Sequence, residues 1–188
     1  MAVPDYITHY YYPDKKPFLN LSDLNEEERA KIIEELNQRK DDNETQRGFP
    51  DWYMPQRLDS EKEMLNILTR KGIIPERKNP HYFVLGSSPF FEKHYNFNFK
   101  KIEIPIKEFR EGELTFTPSD SLWCIGKIMR PDTNMKSMPF DQDLFNYNEV
   151  SEIIKSYNTD ILDTQSMLKI RSKFVEAQVW SNRVIEKY

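Results

Sequence analysis

The chain has 188 residues, enough for one well-packed core and too few for two ordinary domains, so a single domain over 1–188 is expected. Hydrophobic residues make up 38% and charged residues 31%, a globular balance that excludes disorder throughout. A formal net charge of -4 disfavours nucleic acid and anionic lipid as partners, a single cysteine excludes an internal disulfide, and no apolar run reaches membrane-spanning length.

The opening Met1-Ala2-Val3-Pro4-Asp5 has neither the basic start nor the apolar run of a secretory signal, so a cytoplasmic location is the expectation. Tyr6 to Tyr12 then reads as a strand, stopped by Pro13 and the turn chemistry of Asp14-Lys15-Lys16-Pro17. Asn25 followed by Glu28 makes a capping box. A helix is predicted from Glu26 to Gln38, with a narrow apolar stripe of Ala30, Ile32, Ile33 and Leu36. Residues 39–48 carry no apolar side chain and are expected to form a mobile loop. Two prolines in Phe49 to Pro55 argue against a regular element there, while the aromatics Phe49, Trp52 and Tyr53 need cover. A second helix is predicted after Asp59 and up to Lys71. It buries Met64, Leu65, Ile67 and Leu68, with Gly72 past its end.

From His81 to Cys124 the apolar period becomes two, with strands expected at His81 to Leu85, around Ile102-Glu103-Ile104 and at Leu114 to Thr117. Cys124 sits among apolar neighbours and reads as an inert buried sulfur. Arg130 to Gln142 interleaves prolines and methionines with polar residues and is expected to be an irregular flap. Asn146 and Glu149 form another capping box before a helix carrying Val150, Ile153, Ile154 and Tyr157 on one face. The last strand is Phe174 to Trp180. The sum is an α+β fold: one domain built on a mostly antiparallel, curved sheet of about five or six strands, with flanking helices.

Along the last strand, Phe174, Glu176, Gln178 and Trp180 fall on one face and Val175, Ala177 and Val179 on the other. The second face is purely apolar and suits a core; the first mixes rings with polar groups, as a binding cleft does or as an exposed edge strand does. His9, His81 and His94 show no spacing typical of a metal site, so no metal is expected. The five glycines are not clustered into a phosphate-cradling loop, and Ser87, Ser88 and Ser121 lack the context of a nucleophile.

The blocks Thr8-His9-Tyr10-Tyr11, His81-Tyr82-Phe83-Val84-Leu85-Gly86, Leu114-Thr115-Phe116-Thr117 with Asp120-Ser121, and Glu176-Ala177-Gln178-Val179-Trp180 resemble a family of bacterial proteins of similar length that has no activity attached to it. His9 on the first strand, Tyr82 on a central one and Glu176 on a late one also resemble the pattern of the ADP-ribosyltransferase fold. That resemblance implies an NAD-binding, transferase-like enzyme with His9, Tyr82 and Glu176 as catalytic residues. His9 would hold a ribose hydroxyl, Tyr82 would stack on nicotinamide, and Glu176 would stabilise an oxocarbenium-like transition state, with Tyr10 and Gln178 as further cofactor contacts. The residues leave two other classes open. One is a non-catalytic binding or protein-interaction domain using the Trp52-Tyr53 and His94-Tyr95 loops; the other is a hydrolase with a histidine and carboxylate site. Substrate, partner and oligomeric state are not legible in the sequence.

Overall fold

Five short segments with alternating β-branched and aromatic residues form one sheet in the computed structural model, which describes residues 2–126 and 138–188. The strands are β1 (Tyr6–Tyr11), β2 (His81–Leu85), β3 (Lys100–Pro105), β4 (Leu114–Thr117) and β5 (Glu176–Val179), in the spatial order β3-β1-β2-β5-β4. Every neighbouring pair is antiparallel, so the fold is the expected single α+β domain with an open, curved antiparallel sheet and flanking helices. β2 is central. The first and last strands both pair with it and not with each other. β5 lies between β2 and β4, so it is an interior strand and not an edge.

Seven helices flank the sheet among the described residues: α1 (Glu26–Asp41), α2 (Tyr53–Arg70), α3 (Pro89–His94), α4 (Ser121–Cys124), α5 (Tyr147–Ser156), α6 (Thr164–Met167) and α7 (Asn182–Ile185). Both predicted capping boxes are present. Asn25 and Asn146 each accept from the backbone N–H of the third helical residue, whose glutamate reaches back to the cap. α2 begins at Tyr53, well before the predicted start after Asp59. Pro55 falls in its first turn, where a backbone N–H would have no helical partner, so the proline breaks nothing. α3 was not expected; Ser88 caps it and Pro89 occupies its first turn.

Directly paired residues of neighbouring strands point to the same side, so the register sorts the side chains into two faces. On one, Ile7, Phe83, Leu85, Ile104, Phe116, Ala177 and Val179 pack with Val150 and Ile154 of α5, Met167 of α6 and Val184 of α7. This is the main core. The opposite face carries Thr8, Tyr10, Tyr82, Val84, Glu176, Gln178 and Trp180. α2 covers part of it, with Met64, Ile67 and Leu68 against Trp180 and Cys124.

α1 is attached differently, because none of its residues is buried. Lys15 ion-pairs with Glu35 and Arg39 with Asp14, the amide of Asn37 exchanges two hydrogen bonds with the Phe49 backbone, and Arg29 donates to the carbonyls of Leu21 and Leu24. The expected loop at 39–48 is partly helix, since α1 runs on to Asp41. Beyond it, Thr45 Oγ1 and the Gln46 N–H both donate to the His94 carbonyl, at 2.7 and 2.8 Å. Thr45 and Arg47 are thus held by the 94–95 segment, while the side chains of Asp41, Asp42, Asn43, Glu44 and Gln46 are exposed. The flap expected over Arg130 to Gln142 lies mostly outside the described residues; from Met138 on the chain turns, buries Phe140 and returns to the Cys124 carbonyl through the Gln142 N–H.

Both sheet margins are distinct. β3 presents exposed Lys100, Lys101 and Glu103, the last two ion-paired at 2.8 Å, while on β4 Phe116 exchanges both backbone hydrogen bonds with Phe145. Among the described residues no helix is long and apolar enough to cross a membrane.

Removing an N-cap costs about 1 kcal/mol, but where that cost appears depends on how the helix is docked. Asn146→Ala should lower global stability by about 1 kcal/mol in urea unfolding, because α5 carries Val150 and Ile154 into the core. Asn25→Ala should instead speed amide exchange within α1 while leaving the global midpoint nearly unchanged.

Candidate functional site

Where α1, the start of α2 and the chain around Arg47 arch over the second face of the sheet, they enclose a cavity of about 210 Å³. Its sheet side is formed by Thr8, Tyr10, Tyr82, Val84 and Glu176. Ile32 and Leu36 of α1, Tyr53 and Arg57 of α2, Arg47 and Phe49, Phe91 and Tyr95, and the Asp120-Ser121 turn close the remaining sides. The cavity is therefore mainly aromatic, with two guanidinium groups, the two ammonium groups of Lys15 and Lys16, and two carboxyl groups in its wall.

All three nitrogens of the Arg57 guanidinium are engaged. Its Nε donates to Ser22 Oγ at 3.0 Å and Glu61 Oε1 at 3.1 Å, Nη1 to Tyr53 OH at 3.1 Å, and Nη2 to Asn20 Oδ1 at 2.7 Å, while its plane lies 4.3 Å from the centre of the Tyr82 ring. Glu61, 1% exposed, accepts from Tyr82 OH at 3.0 Å and Ser22 Oγ at 2.8 Å on the same oxygen. Burial, and then the Glu61 charge, push the Tyr82 phenol well above its ordinary value, so the ring stays neutral.

Arg47 is the contrasting case. Nη1 donates to Tyr95 OH at 2.8 Å, and the guanidinium lies near the rings of Phe49, Phe91 and Tyr95 at 5.2 to 5.8 Å. No carboxylate pairs with it among the described residues. A guanidinium has five N–H donors, and one side-chain hydrogen bond leaves most of them without a protein acceptor. Nearby, Thr8 is fully buried and its Oγ1 has no partner among the described residues.

Glu176 rises from β5 with 7% of its surface exposed. Its Oε1 accepts from the Ser121 N–H at 3.3 Å and from Gln178 Nε2 at 3.0 Å. Burial, with the Asp120 charge adding to it, raises the carboxyl to about 8, more than those two donors offset. The protonated form is thereby favoured. Burial also pushes the neighbouring Cys124 thiol far up, in keeping with an inert sulfur.

The residues singled out in the sequence separate into two groups. Tyr10, Tyr82 and Glu176 reach the cavity from the sheet. Gln178 shares their face but is fully buried, with Thr115 Oγ1 donating to its carbonyl oxygen and its amide donating to Thr117 Oγ1 and Glu176, so none of its groups is left for a ligand. His9 also borders the cavity, but from the pleat of Ile7, and its ring packs on Phe18 and Phe83 at 4.9 and 5.2 Å. The structure lines one cavity with His9, Tyr82 and Glu176, but the imidazole stands on the alternate pleat of β1 and both of its nitrogens are engaged.

The local geometry gives His9 another task. The Phe18 N–H donates to Nε2 at 3.1 Å, which leaves the proton on Nδ1 to be donated to the Tyr82 carbonyl at 3.1 Å. Phe18 has a φ of 61°, a left-handed conformation costly for a bulky residue, and the imidazole fixes it there. Burial lowers His9 to about 4 and His81 likewise to about 4, so both are neutral. His94 lies apart, its Nδ1 2.9 Å from the Phe90 carbonyl.

Sequence reasoning missed Arg47, Arg57, Glu61 and Asn20. The Arg57/Glu61 pair has the i, i+4 spacing of a helical ion pair and was readable once α2 was started early enough. Arg47 stood within a wholly polar stretch and carried no local signal. Compared with protein-family models, curated proteins and solved structures, the chain gives no match, and the chemistry of the site rests on its own geometry.

Titration of these buried groups makes stability depend on pH in a definite way. His9 and His81 fall from 6.5 to about 4 on folding, so below 6.5 the unfolded chain takes up protons that the native one refuses, and stability drops. Glu176 rises from 4.5 to about 8, so its contribution is complete below 4.5 and is lost as pH rises through about 8. Two histidines outweigh one carboxyl between 4.5 and 6.5, and above 6.5 the carboxyl acts alone. Urea unfolding should therefore show maximal stability near pH 6.5 and a decline toward 8 that Glu176→Gln removes. A profile still rising at pH 8 would mean that Glu176 is ionised in the folded protein.

Proposed function

We propose that the chain is a small-molecule-binding domain whose ligand seats a carboxylate or phosphate on Arg47 and lays an aromatic body among Tyr10, Tyr53, Phe91 and Tyr95. The carrying observation is the Arg47 guanidinium, which lines an aromatic cavity with one side-chain hydrogen bond and no carboxylate partner among the described residues. A half-buried cation with spare donors, set among ring faces, is stabilised when an anion meets it, and planar bidentate recognition suits carboxylate and phosphate. The unpartnered hydroxyl of Thr8 points the same way. A cavity of about 150 Å³ is known to hold benzene. At about 210 Å³ this one suits a substituted ring.

The transferase reading from the sequence has less support. It asks His9 to bind ribose, yet both ring nitrogens are engaged by backbone groups, and it asks Tyr82 to stack on nicotinamide, yet Arg57 covers that ring. A dinucleotide also needs more room than one substituted ring. The hydrolase reading lacks a histidine beside Glu176. The binding-domain reading had named the Trp52-Tyr53 and His94-Tyr95 loops, and Tyr53 and Tyr95 do line the cavity.

Calorimetry with simple aromatic carboxylates tests the proposal. Arg47→Met should weaken binding by about 1.5–3 kcal/mol, roughly ten- to a hundredfold, without lowering the melting temperature. Binding that is unaffected by Arg47→Met, or stabilisation of the wild type by NAD and by no aromatic acid, would reject it.

A further inference from the structure

Glu176 stands on β5 and Arg47 on the β1 side, anchored through Tyr95, whose OH donates to the Tyr10 carbonyl at 3.1 Å. Two strand spacings, about 10 Å, separate those strands. A ligand ring held between the two residues would thus present one end to each.

The Glu176 end is built to donate a hydrogen bond. Oε1 is occupied by the Ser121 N–H and Gln178 Nε2, both donors, so the carboxyl proton resides on Oε2. Oε2 has no partner among the described residues, and Glu176 lines the cavity. The groups around it keep that proton in place. Asp120, on the turn before α4, adds a like charge; Cys124 on α4 and Tyr82 on β2 are neutral; and Arg57 on α2, a cation near it among the described residues, is taken by Glu61, Asn20, Ser22 and Tyr53. The raised carboxyl agrees with this arrangement. An anionic ligand group at this end would face Asp120, whereas a neutral carbonyl oxygen would accept the Oε2 proton without that repulsion.

We infer that the β5 end of the cavity reads an uncharged hydrogen-bond acceptor through the Glu176 carboxyl, so that the ligand class is an aromatic acid bearing a ketone or amide carbonyl remote from its anionic group. This rests on the anion-binding reading of Arg47 and adds the substrate class. Glu176 acts here as a specificity-determining donor.

A matched pair of probes separates the two readings: para-acetylbenzoate and para-ethylbenzoate share the acid and the ring and differ in the ketone. At pH 6.5, where both acids are ionised and Glu176 is protonated, the wild type should prefer the ketone by about tenfold, the worth of one hydrogen bond to a buried donor. The preference should fade as pH rises through about 8, while the affinity of the ethyl compound stays flat. Glu176→Gln keeps an oxygen for Ser121 and Gln178 and presents an amide N–H to the cavity, so it should keep the preference and lose its pH dependence. Equal binding of the two acids by the wild type would overturn this inference and leave the Arg47 reading standing. So would a ketone preference undiminished above pH 8. Failure of both acids to bind would overturn both. The wild-type pH profile decides the matter even if the variant does not fold.

Discussion

Three separate parts of the molecule are tied together at the guanidinium of Arg57. It is carried by α2, it holds the turn at Asn20 and Ser22, and through its own stacking and through Glu61 it fixes Tyr82 on the central strand. Removing one member of such a buried pair strands a charge and costs about 3–5 kcal/mol, so the cluster is an all-or-none wall. With that wall fixed, α2 can cover only one half of the sheet face. The remaining half is left as the aromatic cavity.

The two arginines beside this cavity show how context assigns different tasks to one side chain. Arg57 makes four side-chain hydrogen bonds and so organises structure; Arg47 makes one and is otherwise surrounded by ring faces. Ring faces stabilise a cation without consuming its N–H donors, which is why Arg47 stays charged yet available. Burial acts on Glu176 in the opposite sense. Lacking a cation to itself, it retains a proton. One cavity thereby has a guanidinium at one side and a carboxyl with a raised proton affinity at the other, the asymmetry on which the proposed recognition rests.

Much of the architecture was legible because alternation and capping are local signals. The strands at 81–85 and 114–117, both capping boxes and the two-faced pattern of β5 follow from spacing alone. The cavity was legible only in part. Tyr10, Tyr82 and Glu176 stand out because polar atoms interrupt apolar strands, but the side of the sheet on which His9 lies depends on pairing register between strands over seventy residues apart. No window of sequence contains that information. Arg47 was hidden for a related reason: a polar stretch looks solvated until the carbonyl of His94 and the hydroxyl of Tyr95 supply its partners.

The sheet ends in two unlike ways, and each deals with the same hazard. An open row of backbone donors and acceptors invites a foreign strand to continue the ladder, the first step toward aggregation. On the β3 side the invitation is declined by charge, since an incoming strand would have to desolvate Lys100, Lys101 and Glu103. On the β4 side it is met from within, by Phe145 occupying the hydrogen-bonding groups of Phe116. A protein guarded in this way should stay dispersed at high concentration, and loss of the Phe145 contact would expose the more apolar of its two borders.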